Sequence, residues 1–164
     1  MDGPDHLGEP VGAPMSETRW TTGRGKLGFL NPLLGQWHHE GGAGAERFSC
    51  TRTFDKVLGG KYVELIADWS LGAGKTYQEK CLFGADKDGV VRFWSFTSDG
   101  KRSEGWLSAA PEIAPDAICF EADMDMGRAR QVYWPGPGDA IMWAVESRNK
   151  AGWKRFVDHV YRPV

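Results

Sequence analysis

From Gly35 onward, turn chemistry interrupts this chain roughly every eight to twelve residues, and polar and apolar residues alternate in between. The interruptions are Leu58-Gly59-Gly60, Gly72-Ala73-Gly74, Asp88-Gly89, Asp99-Gly100, Gly127, Pro135-Gly136-Pro137-Gly138 and Gly152. Each suits a tight connection between antiparallel strands. The runs between them read as strands over Gln36–Gly41, Arg47–Phe54, Lys61–Trp69, Thr76–Ala85, Val90–Ser98, Arg102–Ser108, Ala117–Asp125, Arg128–Trp134, Ala140–Arg148 and Trp153–Arg162. So many consecutive short strands leave almost no chain for crossover helices. A long meander removes its exposed edges by closing on itself. The expected fold is therefore all-β: a closed antiparallel up-and-down barrel of about ten strands. A β-sandwich would also accommodate the strands, but it gives no reason for the Gly35-x-Trp37 pattern at the first one.

That pattern suits a plug. An indole at the start of the first strand can stopper the narrow end of a small barrel, and the glycine beside it lets the backbone pass close. A barrel stoppered at one end is a cup. Before it, Lys26 to Leu34 supports one or two helical turns, and Pro32 favours two short pieces over one helix. Residues 1–25 read as a flexible leader, with Pro4, Pro10 and Pro14 among acids and glycines, and residues 26–164 as the single barrel domain.

Composition narrows the function classes. Eight Trp, eight Phe and 22 Gly favour strands and turns. Twenty Lys and Arg against 22 Asp and Glu give a net charge of -2, no reason to expect a nucleic-acid partner. No apolar run is long enough to span a membrane, and no secretory signal is apparent, so a cytoplasmic location is expected. Cys50, Cys81 and Cys119 are far apart and lie in strand-like runs, which suits small buried hydrophobes in a reducing compartment. No nucleophile elbow, dinucleotide fingerprint or phosphate loop is present. Gly72-Ala73-Gly74-Lys75-Thr76 precedes a strand rather than a helix and reads as a hairpin turn.

Four stretches resemble the calycins, the lipocalin and fatty-acid-binding barrels, and within them the nitrobindin-like branch and its bacterial lipocalin-like relatives. They are Leu33-Leu34-Gly35-Gln36-Trp37-His38-His39-Glu40-Gly41, Leu58-Gly59-Gly60-Lys61-Tyr62-Val63, Leu82-Phe83-Gly84-Ala85-Asp86-Lys87-Asp88-Gly89, and the strand from Trp153 through Tyr161-Arg162. The resemblance implies a barrel around a mostly apolar cavity that binds a small ligand. In nitrobindins that ligand is haem, held by a histidine of the final strand.

Strand alternation assigns the candidate site. If Trp37 points inward, so do His39 and Gly41. On the last strand Trp153, Arg155, Val157, His159 and Tyr161 share a face, taken as the inner one. Pairing Trp37 with Tyr161 then places His39 opposite His159. His39, His159 and Tyr161 are the expected polar contacts of the ligand, with Trp94 and Trp143 on the cavity wall and Trp69, Trp106 and Trp134 as further wall aromatics. Gly35, Trp37 and Arg162 form the plug, with Arg162 or Arg155 stacked on the indole. Adjacent His38 and His39 point to opposite faces, so no metal is expected. A metal would need His39, His159 and a carboxylate such as Glu64 or Glu79. Facing of Glu64, Asp68 and Glu79 stays open. The leading function is binding of a small, mostly apolar molecule. The alternatives are a haem or nitric-oxide protein with His159 as axial ligand, a cyclase or isomerase, and a filled structural module. No cofactor is expected apart from that haem alternative, and a homodimer is left open.

Overall fold

The computed structural model describes residues 20–164, so most of the leader lies outside the described residues. Ten antiparallel strands close into one ring in the order β1-β10-β9-β8-β7-β6-β5-β4-β3-β2. They are β1 (Gly35–Gly41), β2 (Phe48–Val57), β3 (Tyr62–Ser70), β4 (Thr76–Ala85), β5 (Val91–Thr97), β6 (Arg102–Ser108), β7 (Ile118–Met124), β8 (Gly127–Pro135), β9 (Ile141–Asn149) and β10 (Gly152–Pro163). Each anticipated strand is present, with ends moved by at most three residues. Neighbours in sequence are neighbours in space, as short Gly-rich connections require. Among the described residues no helix is long and apolar enough to cross a membrane.

The segment before β1 forms one 3-10 helix, Gly28–Leu33, rather than two pieces. Pro32 sits inside it without breaking it, because its fixed φ suits a 3-10 turn. Leu30 and Leu33 are fully buried beneath the barrel beside Trp37, whose Nε1 donates to the Leu33 carbonyl at 2.8 Å. Trp20 also packs on this core. Gly35 serves the plug differently from the expectation. A Cβ there would meet nothing within 4 Å, but its φ of +124° is closed to other residues.

The two ends of the strand order meet at a thin seam. β1 and β10 pair at only two positions, Trp37 with Pro163 and His38 with Arg162. This register is offset by two residues from the expected one, so side-chain parity survives. β10 also contains a bulge: Arg155 faces Glu146 and Val157 faces Val145, which leaves Phe156 unpaired. The bulge corrects the single-face reading of that strand. Val157, His159 and Tyr161 stand with the inward residues Val145, Trp143 and Ile141, while Trp153 and Arg155 stand with Arg148 and Glu146 on the outside.

Outside the barrel, a second small core of Ala110, Cys119 and Val132 lies under the β6–β7 connection. Beside it runs a charged ladder. Buried Arg130 pairs with Glu146 at 2.7 Å and with Glu112 at 2.5 Å, and Arg155 reaches Glu146 at 2.9 Å. Their guanidinium groups lie over Trp153 and Trp134.

Candidate functional site

Burial along the inward face is graded. At the plugged end Phe54, Leu65, Phe83 and Trp37 are fully buried. Towards the other end the inward residues Phe48, Trp69, Tyr77, Glu79, Thr97, Gln131, Val145 and Val157 are only half-buried. The interior is therefore sealed below and open above. A cavity of about 460 Å³ lies at the rim, lined by Tyr77, Thr97, Lys101, Arg102, Ser103 and the β7–β8 turn, above rather than in contact with Arg52 and His159. That volume is within the range of small-molecule sites.

At the floor of the open half sits Arg52, 1% exposed. Strand alternation puts it there: Cys50, Arg52 and Phe54 share the inner face of β2, and Thr51 and Thr53 the outer. Its Nη2 donates to the Tyr133 hydroxyl at 2.5 Å. The guanidinium lies 4.4 Å from the Trp143 ring centroid, with Tyr133 and Tyr161 at 5.6 and 5.8 Å. Its Nε has no hydrogen-bond partner, and among the described residues no carboxylate contacts it, the Glu79 carboxylate acting on it only at longer range. Glu79, the inward carboxylate of β4, accepts instead from the Ser95 hydroxyl at 2.5 Å. A buried cation with no carboxylate in contact is costly, and aromatic faces and the more distant Glu79 offset part of that. Arg52 was not singled out in the sequence, although an arginine in phase with Phe54 was a usable signal.

His39 and His159 come together as expected. Their rings stack at 4.1 Å with planes 13° apart. His39 Nδ1 donates to the Val160 carbonyl at 2.8 Å, which fixes its proton on Nδ1. That bond crosses the seam where the backbone ladder has stopped, so the imidazole supplies a missing strand donor. His159 is 9% exposed and ringed by Phe48, Trp69, Trp143 and Tyr161 as well as His39. Burial, then the nearby charges of His39 and Arg52, hold its pKa down to about 4, so it is neutral at pH 7. Its Nδ1 faces the Tyr161 hydroxyl at 3.5 Å. Tyr161 is fully buried, and burial pushes its hydroxyl well above the usual range.

Trp143 is on the inner wall, its Nε1 donating to Gln131 at 3.3 Å, and Trp69 is beside it. Trp94 is not on that wall. It alternates with inward Phe93 and Ser95, so its ring lies outside against Tyr62. Trp106 and Trp134 are outside too, under Arg128 and Arg155. Arg162 is exposed, paired with outward His38, and does not reach the indole of Trp37. Arg155 is likewise far from the plug, because the bulge turns it outward over Trp134. Glu64 and Asp68 point outward and bond Lys80 and Gln78. The cup thus holds Glu79 without a paired acid beside His159. Stacked parallel imidazoles cannot aim two in-plane lone pairs at one ion. Burial pushes all three thiols up, that of Cys119 to about 12, so they are protonated and unreactive.

No family model matches the chain, and no curated protein matches it. Among solved structures, the chain is similar to the crystal structure of Rv2717c from M. tuberculosis, with a TM-score of 0.56 and 16% identity. The match covers 86% of this chain and 98% of that one. At this identity the likeness concerns the fold alone. A closed ten-stranded antiparallel barrel with this neighbour fits a calycin-like fold.

Proposed function

We propose that the open half of the barrel binds a small, mostly apolar molecule whose acceptor end, a carboxylate or similar group, is directed at Arg52. The observation that carries this is the guanidinium sealed at the floor with an unpartnered Nε and no carboxylate in direct contact among the described residues, Glu79 acting on it only at longer range. An anionic end would supply the missing acceptor, with Tyr161 and neutral His159 beside it. Trp69, Trp143 and Phe48 would pack the apolar body, and access would be from the end opposite Trp37.

Haem is the less suitable occupant. An axial histidine needs a planar slot in front of it, and His159 is enclosed by five rings. The calycin-like fold supports a nitrobindin-like relationship only at the level of architecture. A cyclase or isomerase would call for carboxylates paired near His159, and among the described residues the cup offers only Glu79.

The test compares decanoate with decanol, titrated into the full chain and followed by calorimetry. Decanoate is expected to bind at least tenfold more tightly, and Arg52→Met to erase that preference without removing decanol binding. Equal binding of both probes, or a preference that survives in R52M, would overturn the proposal.

A further inference from the structure

A second cavity, about 880 Å³, lies on the far side of the plug, outside the barrel wall. One side is the loop before the 3-10 helix, carrying Arg24 and Lys26. The other is the β2–β3 connection, flanked by Lys56 and Lys61. Among the described residues no Asp or Glu lines the cavity, although acids outnumber bases in the chain. None of the four cations has an ion pair among the described residues, whereas Arg47, Lys80, Arg92, Arg128, Arg130 and Arg155 all do. Four like charges around one concavity repel one another unless an anion is present.

Both walls are preformed. Gly23 N donates to Gly28 O at 2.8 Å and Gly28 N to Gly25 O at 3.1 Å, closing the loop into a ring. The ring is so tight that a Cβ on Gly28 would come within 2.1 Å of the Gly23 carbonyl. Lys26 Nζ is fixed by the Gly89 carbonyl at 3.0 Å. In the β2–β3 connection, beside the lining residues Lys56 and Gly60 but not itself lining the cavity, Leu58 is held in the left-handed region at φ 54° with its side chain 67% exposed. A leucine in that conformation is strained, and such strain concentrates at binding loops. The cavity floor is apolar: Leu30 is fully buried, Val63 is 2% exposed, and Leu27, Leu34 and Tyr62 are half-buried.

We infer that this cavity is a binding site for a small organic phosphate, its doubly charged head among Arg24, Lys26, Lys56 and Lys61 and its apolar body on Leu27, Leu34 and Tyr62. A phosphate monoester carries about -1.5 to -2 at pH 7, which matches four cations better than a single carboxylate does. Lysines bind it as point charges. Bare phosphate would leave the apolar floor uncovered. The site is separated from the cup by the layer of Trp37, Leu30 and Leu33, and it stands whatever occupies the cup.

The test titrates 1-naphthyl phosphate, 1-naphthol and inorganic phosphate separately into the full chain, by calorimetry and amide-resolved NMR. Naphthyl phosphate is expected to bind one site at least tenfold more tightly than either fragment. Amide shifts should fall on residues 23–34 and 56–63 and spare Trp143 and Val145. The exposed double substitution Lys56→Gln with Lys61→Gln should weaken binding at least tenfold at an unchanged thermal midpoint. Absence of binding, shifts confined to the cup, or full affinity in the double variant would overturn the inference. So would binding to phosphatidylglycerol vesicles or a short RNA that naphthyl phosphate does not displace.

Discussion

The two halves of the barrel interior are built from the same strands and the same alternation, yet they do opposite work. In the lower half the inward positions are Trp37, Phe54, Val63, Leu65, Phe83 and Phe120, each at most 2% exposed. In the upper half they include Arg52, Glu79, Ser95, Gln131, His39 and His159. The lower half is close-packed against its own side chains, which is where large-to-small substitutions cost most. The upper half holds a buried charge and several polar groups, which lowers stability and leaves chemistry available. Close packing and buried polarity are thus stacked along one axis rather than shared by every residue.

The largest expected effect is in the lower half. Trp37→Ala removes the plug and its bond to Leu33, and should cost about 3–5 kcal/mol in urea unfolding. A loss below 1 kcal/mol would mean that the lower half is not the stabilising one. Next is the pH response of the upper half. His159 has a pKa of about 4 in the folded chain against an ordinary 6.5, so the unfolded chain takes up its proton first. Stability contributed by keeping it neutral is complete above about pH 6.5 and is lost as pH falls towards 4, at roughly 1.4 kcal/mol per unit. His159→Phe should flatten that stretch of the stability–pH curve, and an unchanged slope would remove His159 as its source. Smaller still is Arg52→Met, whose urea midpoint should stay level or rise, because an apolar side chain of similar length removes a buried charge. A marked fall in the midpoint would make Arg52 a structural residue. Smallest is Trp94→Thr, on the outer wall, which should leave decanoate affinity within twofold. A larger loss would contradict the outward placement of that ring.

The ring of strands was legible because its signals are local. Gly-Gly, Asp-Gly and Pro-Gly turns and period-two alternation sit within a few residues of one another. Trp37 as plug and the approach of His39 to His159 followed from parity, which a two-residue register offset does not disturb. What was hidden depends on events that alternation cannot see. Phe156 looks like an ordinary strand residue, yet by standing outside the ladder it reverses Trp153 and Arg155. Trp94 has the character of a cavity aromatic, and only its phase against buried Phe93 and Ser95 places it outside. Arg52 was passed over because a charge is expected at the surface. The four cations around the outer cavity come from segments far apart in the chain, so no window of sequence contains them together.

The thin seam between the first and last strands has a consequence for how the ring is threaded. Because β1 and β10 lie side by side, the beginning and end of the barrel are within easy reach of a short linker. A circular permutant joined there and opened at the exposed turn around Gly100 would turn the weakest junction into a hairpin and make β5–β6 the closing one. Joining two strands by a short connection greatly lowers the entropy cost of bringing them together. If this permutant refolds faster than the parent, the meeting of the two end strands is the slow step in completing the barrel.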